Sequence, residues 1–190
     1  MEKLVQHIKS QVSISAETMK IVQSRFTEKR YKKKEYLLRF GGSSTEVFFV
    51  STGCVRTYIT GFNGVEHNVV FSVENWWAGD LQGFIHKAPA TYSIQALENT
   101  TVLSISQENW TFLVNEFPAF LAYSRILFRN SVIALESRIA QHLSFTAKER
   151  YQYFLNHYPN LIQRIAQKHI ASYLGITPEF LSMLRNQKME

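Results

Sequence analysis

The chain is poor in the residues that staple, ligate or anchor. It has 190 residues and one cysteine, Cys54. A single thiol excludes an internal disulfide and a four-cysteine iron–sulfur site. Asp80 is the only aspartate. No run of about 18 apolar residues exists, so no membrane span is indicated. The opening MEKLVQHIKSQVSIS is mixed and polar, unlike a signal peptide. By elimination the expected address is cytoplasmic. G-x-S-x-G, H-E-x-x-H and the P-loop are all missing, so no catalytic residue is named and no enzyme is expected. The six histidines (His7, His67, His86, His142, His157, His169) are scattered. A cupin-type metal enzyme is the alternative of a different class, and it needs about three histidines and a carboxylate on one metal. Its H-x-H pattern is absent; Glu66-His67 stands alone, and no metal ligand is named.

What is present is a core and an excess of positive charge. Hydrophobic residues make up 45% and charged residues 19%, enough apolar content for one medium domain and a small one. Net charge is +6. Residues 145–190 hold Lys148, Arg150, Arg164, Lys168, Arg185 and Lys188 against Glu149, Glu179 and Glu190, half of that excess. A basic balance favours a polyanionic partner without choosing a sequence.

In chain order, residues 3–30 read as short helices, with Leu4, Val5 and Ile8, then Met19, Val22 and Phe26, at helical spacing. The run Lys29-Arg30-Tyr31-Lys32-Lys33-Lys34 reads as a solvated edge that discourages strand pairing, ahead of a contact for DNA or polymerase. From Glu35 to Ile105 the period becomes two. Tyr36–Leu38, Val47–Val50, Val55–Ile59, Val69–Phe71, Tyr92–Ala96 and Val102–Ile105 are short strands, and Asn63-Gly64 is a hairpin signal. Many short strands at this spacing predict a jelly roll. Gln107–Glu116 is helical again.

Pro118 opens a long helix to about Ser144. Leu121, Phe128 and Leu135 recur every seven residues, as do Ile126, Ile133 and Ala140. A helix apolar on most sides is buried on most sides. One face packs on the barrel, and the other is expected to meet the same helix of a second chain, with Leu121, Phe128 and Leu135 as dimerisation residues. Thr146-Ala147-Lys148-Glu149 is a capping-box pattern that starts a new helix to about His157. The domains expected are therefore residues 1–117, a linking helix at 118–145 and a C-terminal domain at 146–190.

The stretch Gln167–Asn186, QKHIASYLGITPEFLSMLRN, reads as a helix-turn-helix. Ile170 and Leu174 share a face, Ala171 permits close helix crossing, and Gly175 ends the first helix. Thr177 caps the second, Pro178 suits its first position, and Glu179 complements its positive end. Two short helices on a tight glycine turn present a protruding helix to the major groove.

IASYLGITPEFLSMLR resembles the DNA-binding motif of the cyclic-AMP receptor protein/fumarate–nitrate reduction regulator (Crp/Fnr) superfamily, in particular its short, Bacteroidetes-type members. VFFVSTGCVRTYIT and residues 76–105 resemble its cyclic-nucleotide-binding fold. The resemblance implies an α+β chain: an N-terminal cyclic-nucleotide-binding-like β jelly roll, a long dimerisation helix and a C-terminal helix-turn-helix (winged-helix-like) domain lacking the further wing strands of larger relatives. It implies a transcription regulator with double-stranded DNA and a second copy as partners, RNA polymerase as a further one, and no membrane.

By the same resemblance, Thr177, Pro178 and Glu179 occupy the base-reading positions, Glu179 accepting from cytosine. Met183 stands where relatives usually carry Arg. Lys168, Ser182, Arg185, Asn186 and Lys188 remain for phosphates or bases. Gly79-Asp80-Leu81 resembles the Gly-acid-Leu of the ligand cassette. The Arg-Ser pair that holds the cyclic phosphate falls on Ala90-Thr91, and the adenine-facing positions fall near Leu135 and Glu136. Without the Arg a buried phosphate lacks its counter-charge, so cyclic AMP is not expected, and a different effector or a ligand-free scaffold barrel stays open.

Overall fold

The computed structural model describes residues 1–186. Two helices open the chain, α1 (Glu2–Gln11) and α2 (Ala16–Ser24). Ser15 caps α2 by accepting from the Thr18 N–H at 3.1 Å. Eight strands follow: β1 (Thr27–Tyr31), β2 (Tyr36–Leu38), β3 (Glu46–Thr52), β4 (Val55–Thr60), β5 (Glu66–Ser72), β6 (Trp77–Ala78), then α3 (Leu81–His86), β7 (Ser93–Ala96) and β8 (Thr100–Ser106). They form two four-stranded antiparallel sheets, β1-β8-β3-β6 and β2-β7-β4-β5. The helical expectation for residues 3–30 fails at its end. Thr27–Tyr31 pairs with Thr100–Ser104 as an edge strand, because backbone bonds to β8 outweigh the local pattern. Asn63-Gly64 lies in the β4–β5 hairpin, with Gly64 at φ +77.

α4 (Gln107–Glu116) and α5 (Pro118–Ser144) lead out of the sheets. The start of α5 is anchored. Phe120 and Tyr123 are fully buried with Leu4, Ile8, Phe49, Leu103, Trp110 and Leu113. The Tyr123 hydroxyl meets His7 Nδ1 at 2.8 Å and accepts from Trp77 Nε1 at 3.0 Å. This polar chain ties α1 to α5 inside an aromatic core, where satisfied buried groups fix geometry. The second half of α5 is different: Val132, Ile133, Leu135, Ile139 and Leu143 are all exposed.

α6 (Ala147–His157) begins with a complete capping box: the Thr146 hydroxyl accepts from Glu149 N, and the Glu149 carboxylate accepts from Thr146 N. A 3-10 turn at Leu161–Gln163 leads to α7 (Gln167–Leu174) and α8 (Pro178–Asn186). Their core is Tyr151, Phe154, Leu161, Ile170, Ala171, Leu174, Leu181 and Leu184, and it is continuous with Cys54, Phe71 and Leu97 of the sheets. Phe71 is fully buried, 5.3 Å from the Tyr173 ring and 6.3 Å from Phe154. The C-terminal helices therefore share a core with the barrel. Among the described residues no helix is long and apolar enough to cross a membrane.

Candidate nucleic-acid interface and effector cassette

The turn between α7 and α8 is built from local chemistry. Gly175 has φ +70, a conformation that favours glycine. Ile176 N donates to Ala171 O at 3.0 Å, satisfying a carbonyl at the end of α7. Thr177 Oγ1 accepts from Phe180 N at 3.2 Å and caps α8. Leu181 and Leu184 face inward against Ile170, Ala171 and Leu174. What α8 leaves outside is Pro178, Glu179, Phe180, Ser182, Met183, Arg185 and Asn186, with Thr177 before them. Lys168 is exposed on α7. Lys188 lies outside the described residues. Sequence reasoning passed over Phe180, which is 40% exposed beside Glu179. An apolar residue left outside a short, otherwise well-patterned helix is the signal it carried.

α7 is clamped to β5 from behind. Asn68 N donates to Ser172 Oγ at 3.0 Å, and Ser172 Oγ donates to Glu66 O at 2.8 Å. Asn68 Nδ2 donates to His169 O at 3.0 Å. Arg56, buried in β4, pairs with Glu66 at 2.6 Å, donates twice to Gln95 Oε1, and lies 3.2 Å from His169 Nδ1. Burial, and then Arg56 and Lys168, push His169 down to about 4. Arg164, after the 3-10 turn, grips Glu74 from both Nη atoms at 3.1 and 2.9 Å, and also pairs with Glu98. Burial alone would raise Glu74; hydrogen bonds from Arg164, from the Glu74 backbone and from Gly53 outweigh it and hold its carboxyl below its ordinary value. Neither Arg56 nor the pairing of Arg164 with Glu74 and Glu98 was foreseen from the sequence. Arg56 in a strand of apolar neighbours was the available signal, since a cation on an inward position needs a partner.

The cassette residues come together, but they satisfy one another. Asp80 is fully buried and caps α3: its Oδ1 accepts from Gly83 N at 3.3 Å. Its Oδ2 accepts from both Thr91 N and Thr91 Oγ1. Gly79 lies so close to β3 that an added Cβ would sit 2.7 Å from Val47 Cγ1. Leu81 is 39% exposed. Ala90 is buried in one apolar cluster with Leu38, Phe48, Val50, Val55, Ala78, Ile94 and Val102. Leu135 is not part of this cluster. It lines a groove with Val69, Arg138, Ile139, His142 and Leu143, none of which is a cassette residue. Glu136 is exposed on α5.

The candidate dimerisation residues divide. Leu121 and Phe128 are half-buried, and Phe128 packs 6.2 Å from Trp110 of its own chain. Leu135 is 54% exposed and continues a seam with Val132 and Ile139 at spacings of three and four. Among the described residues no three His, Cys, Asp or Glu side chains converge as metal ligands, and Glu66 is engaged by Arg56.

Residues 28–117 match the family model described as the cyclic nucleotide-binding domain. No curated protein sequence matches the chain. Solved structures do. FixK2 from Bradyrhizobium japonicum superposes with a TM-score of 0.75 at 19% identity, over 85% of this chain and 83% of that one. A CooA mutant from Carboxydothermus hydrogenoformans gives 0.67 at 26% identity, over 87% and 77%. A Eubacterium rectale protein described as a transcriptional regulator of the crp/fnr family gives 0.71 at 17% identity, over 90% and 82%.

Proposed function

We propose that the chain is a member of the Crp/Fnr superfamily, a DNA-binding transcription regulator and not an enzyme, that reads an inverted-repeat operator as a homodimer; its cyclic nucleotide-binding domain and its architecture support the reading. One observation carries the reading. α8 is held by Leu181 and Leu184 on one side, while Glu179, Ser182, Met183, Arg185 and Asn186 all face outward on the other. A helix capped at Thr177 with one face exposed in this way suits the major groove. In it Glu179 accepts from a cytosine amino group, and Lys168 and Arg185 hold phosphates. Acting on DNA, the protein works in the cytoplasm, and residues 1–117, 118–145 and 146–190 serve as sensor, dimer helix and reader. RNA polymerase is a further partner of such a regulator.

The dimer rests on the seam Val132, Leu135 and Ile139, which the single chain leaves uncovered. Paired helices place two copies of α8 in successive major grooves, so half-site centres stand about 34 Å apart. Two features of the cassette argue against a cyclic nucleotide effector. Its acid already accepts three hydrogen bonds from the loop's own donors, and the position for the phosphate-binding cation is a buried Ala90. Selection of bound sequences from a random DNA pool tests the reading. A palindromic site with that spacing is the expected result; recovery of no consensus would overturn it.

A further inference from the structure

α8 presents no cation until its last turn, where Arg185 stands. Before it the outward side chains are Pro178, Glu179, Phe180, Ser182 and Met183. Two of these are large and apolar: Met183 is 46% exposed and Phe180 40%. They stand three positions apart, so they are neighbours on the helix surface. Met183 is also four positions on from Glu179 and shares its side of the helix. The fold does not need either of them. Leu181 and Leu184 already fill the contact with Ile170, Ala171 and Leu174, and among the described residues neither Phe180 nor Met183 packs against that core.

The major groove offers such a surface few partners. Guanine shows two acceptors, cytosine an amino donor, adenine an acceptor and a donor, and thymine an acceptor and its C5 methyl. That methyl is the only apolar group on the groove floor. Guanine is met by Arg or Lys, and the first two turns of α8 expose neither. Glu179, an acceptor, suits an amino group. Met183 has no donor and only a weakly accepting sulfur. Set against a polar base edge it would take that edge out of water without a hydrogen bond, which is unfavourable. Set against a methyl it gains from burial. The preference therefore has an attractive and a repulsive side.

We propose that Met183 is a specificity-determining residue that reads thymine by its C5 methyl group, with Phe180 flanking the contact. The inference rests on the DNA-reading proposal above and names a second base that α8 selects. Four residues of helix advance about 6 Å. Stacked base pairs stand about 3.4 Å apart. The thymine is therefore within about two base pairs of the cytosine that Glu179 takes.

The test uses the full chain and the operator recovered from the random pool. Each thymine within that distance is replaced in turn, in both half-sites, by deoxyuridine. Uracil keeps every hydrogen-bonding edge of thymine and lacks only the methyl, so the protein itself is untouched. Burying one methyl is worth a factor of about four. The parent should therefore bind one of the uracil operators about fifteenfold more weakly, both half-sites being changed. M183A should bind the thymine operator about as weakly as the parent binds that uracil operator, and should no longer tell the two apart. An unchanged melting temperature accompanies this, because Met183 lies outside the core. The proposal is overturned if the parent binds all uracil operators as tightly as the thymine one, or if no thymine is selected near the cytosine. It is equally overturned if M183A weakens both operators alike and keeps the uracil effect, since Met183 and Phe180 then serve the fold or a protein contact. A chain that binds no DNA at all would overturn the DNA reading itself, and this inference with it; every other outcome retains binding, so the two failures are distinct.

Discussion

Replacing Arg164 with Met should loosen the C-terminal helices from the barrel while leaving both folded. Arg164 holds Glu74 with two parallel hydrogen bonds and Glu98 with a third, and the three side chains are 27%, 30% and 30% exposed. Fully exposed pairs contribute about 0.2–1 kcal/mol each. The forked geometry and partial burial put this pair of contacts at the upper end of that range, so the loss is about 1–2 kcal/mol. Methionine keeps the aliphatic stem, which confines the loss to charge and hydrogen bonds. For a chain of this length about 2–4 °C in Tm accompanies each kcal/mol, so a drop of about 2–8 °C is expected. Hydrogen exchange should quicken in α7 and at Phe145–Thr146 and stay unchanged in α1 and α5. In the E74Q/E98Q background R164M should cost little, since its partners are already neutral. A Tm within about 1 °C of the parent, or an equal loss in the E74Q/E98Q background, would refute the clamp.

Changing both Leu135 and Ile139 to Glu should give monomers by sedimentation, and an unchanged dimer mass would place the interface elsewhere. Glu179→Ala should relax preference at one symmetric base pair by about 1–3 kcal/mol, whereas Arg185→Ala should weaken all sequences alike and reduce the salt slope by about one unit; a full base preference in Glu179→Ala would make Glu179 a helix-end charge only. Cyclic AMP and cyclic GMP should give no saturable heat in the micromolar range, and a 1:1 titration would contradict the self-satisfied Asp80. Acid should release the C-terminal helices. His169 is held at about 4 against an ordinary 6.5, so the unfolded chain binds its proton first and stability falls as pH drops through that interval. Glu74, held below 4.5, adds its loss at the lower end. His169→Gln should flatten the upper part of this profile in urea titrations at pH 7, 6 and 5.

The helix-turn-helix was legible because every signal for it is local: Gly175 at the turn, Thr177-Pro178 at the cap, apolar residues one turn apart. The capping box at Thr146 and the long helix from Pro118 were legible for the same reason. β6 and α3 are too short to carry a period, two and six residues long. Thr27 and Glu28 were read as helix, and Lys29–Tyr31 as an edge set against pairing, because the strand character of this segment comes from β8, about seventy residues away. The contacts that tie α5 and the C-terminal segment to the sheets were invisible on similar grounds. Arg138 bonds Asn68 across 70 positions, and Arg164 bonds Glu74 across 90. Arg138, between Leu135 and Ile139 on a largely apolar helix, was the clue, and it named no partner. The cassette was found by pattern, yet pattern alone did not disclose that Asp80 spends its lone pairs on Thr91 and Gly83.

Phe71 has a consequence for engineering. Its ring belongs to a strand of the barrel and is enclosed by Phe154 and Tyr173 of the C-terminal helices. Such a chain is not modular. A C-terminal domain grafted at Phe145–Thr146 from a chain of similar fold would arrive without a matching aromatic lining, and Phe71, Cys54 and Leu97 would be left facing water. A chimera that respects the molecule has to carry β4 and β5 along with the C-terminal helices, so the useful crossover lies inside the barrel and not at Phe145–Thr146.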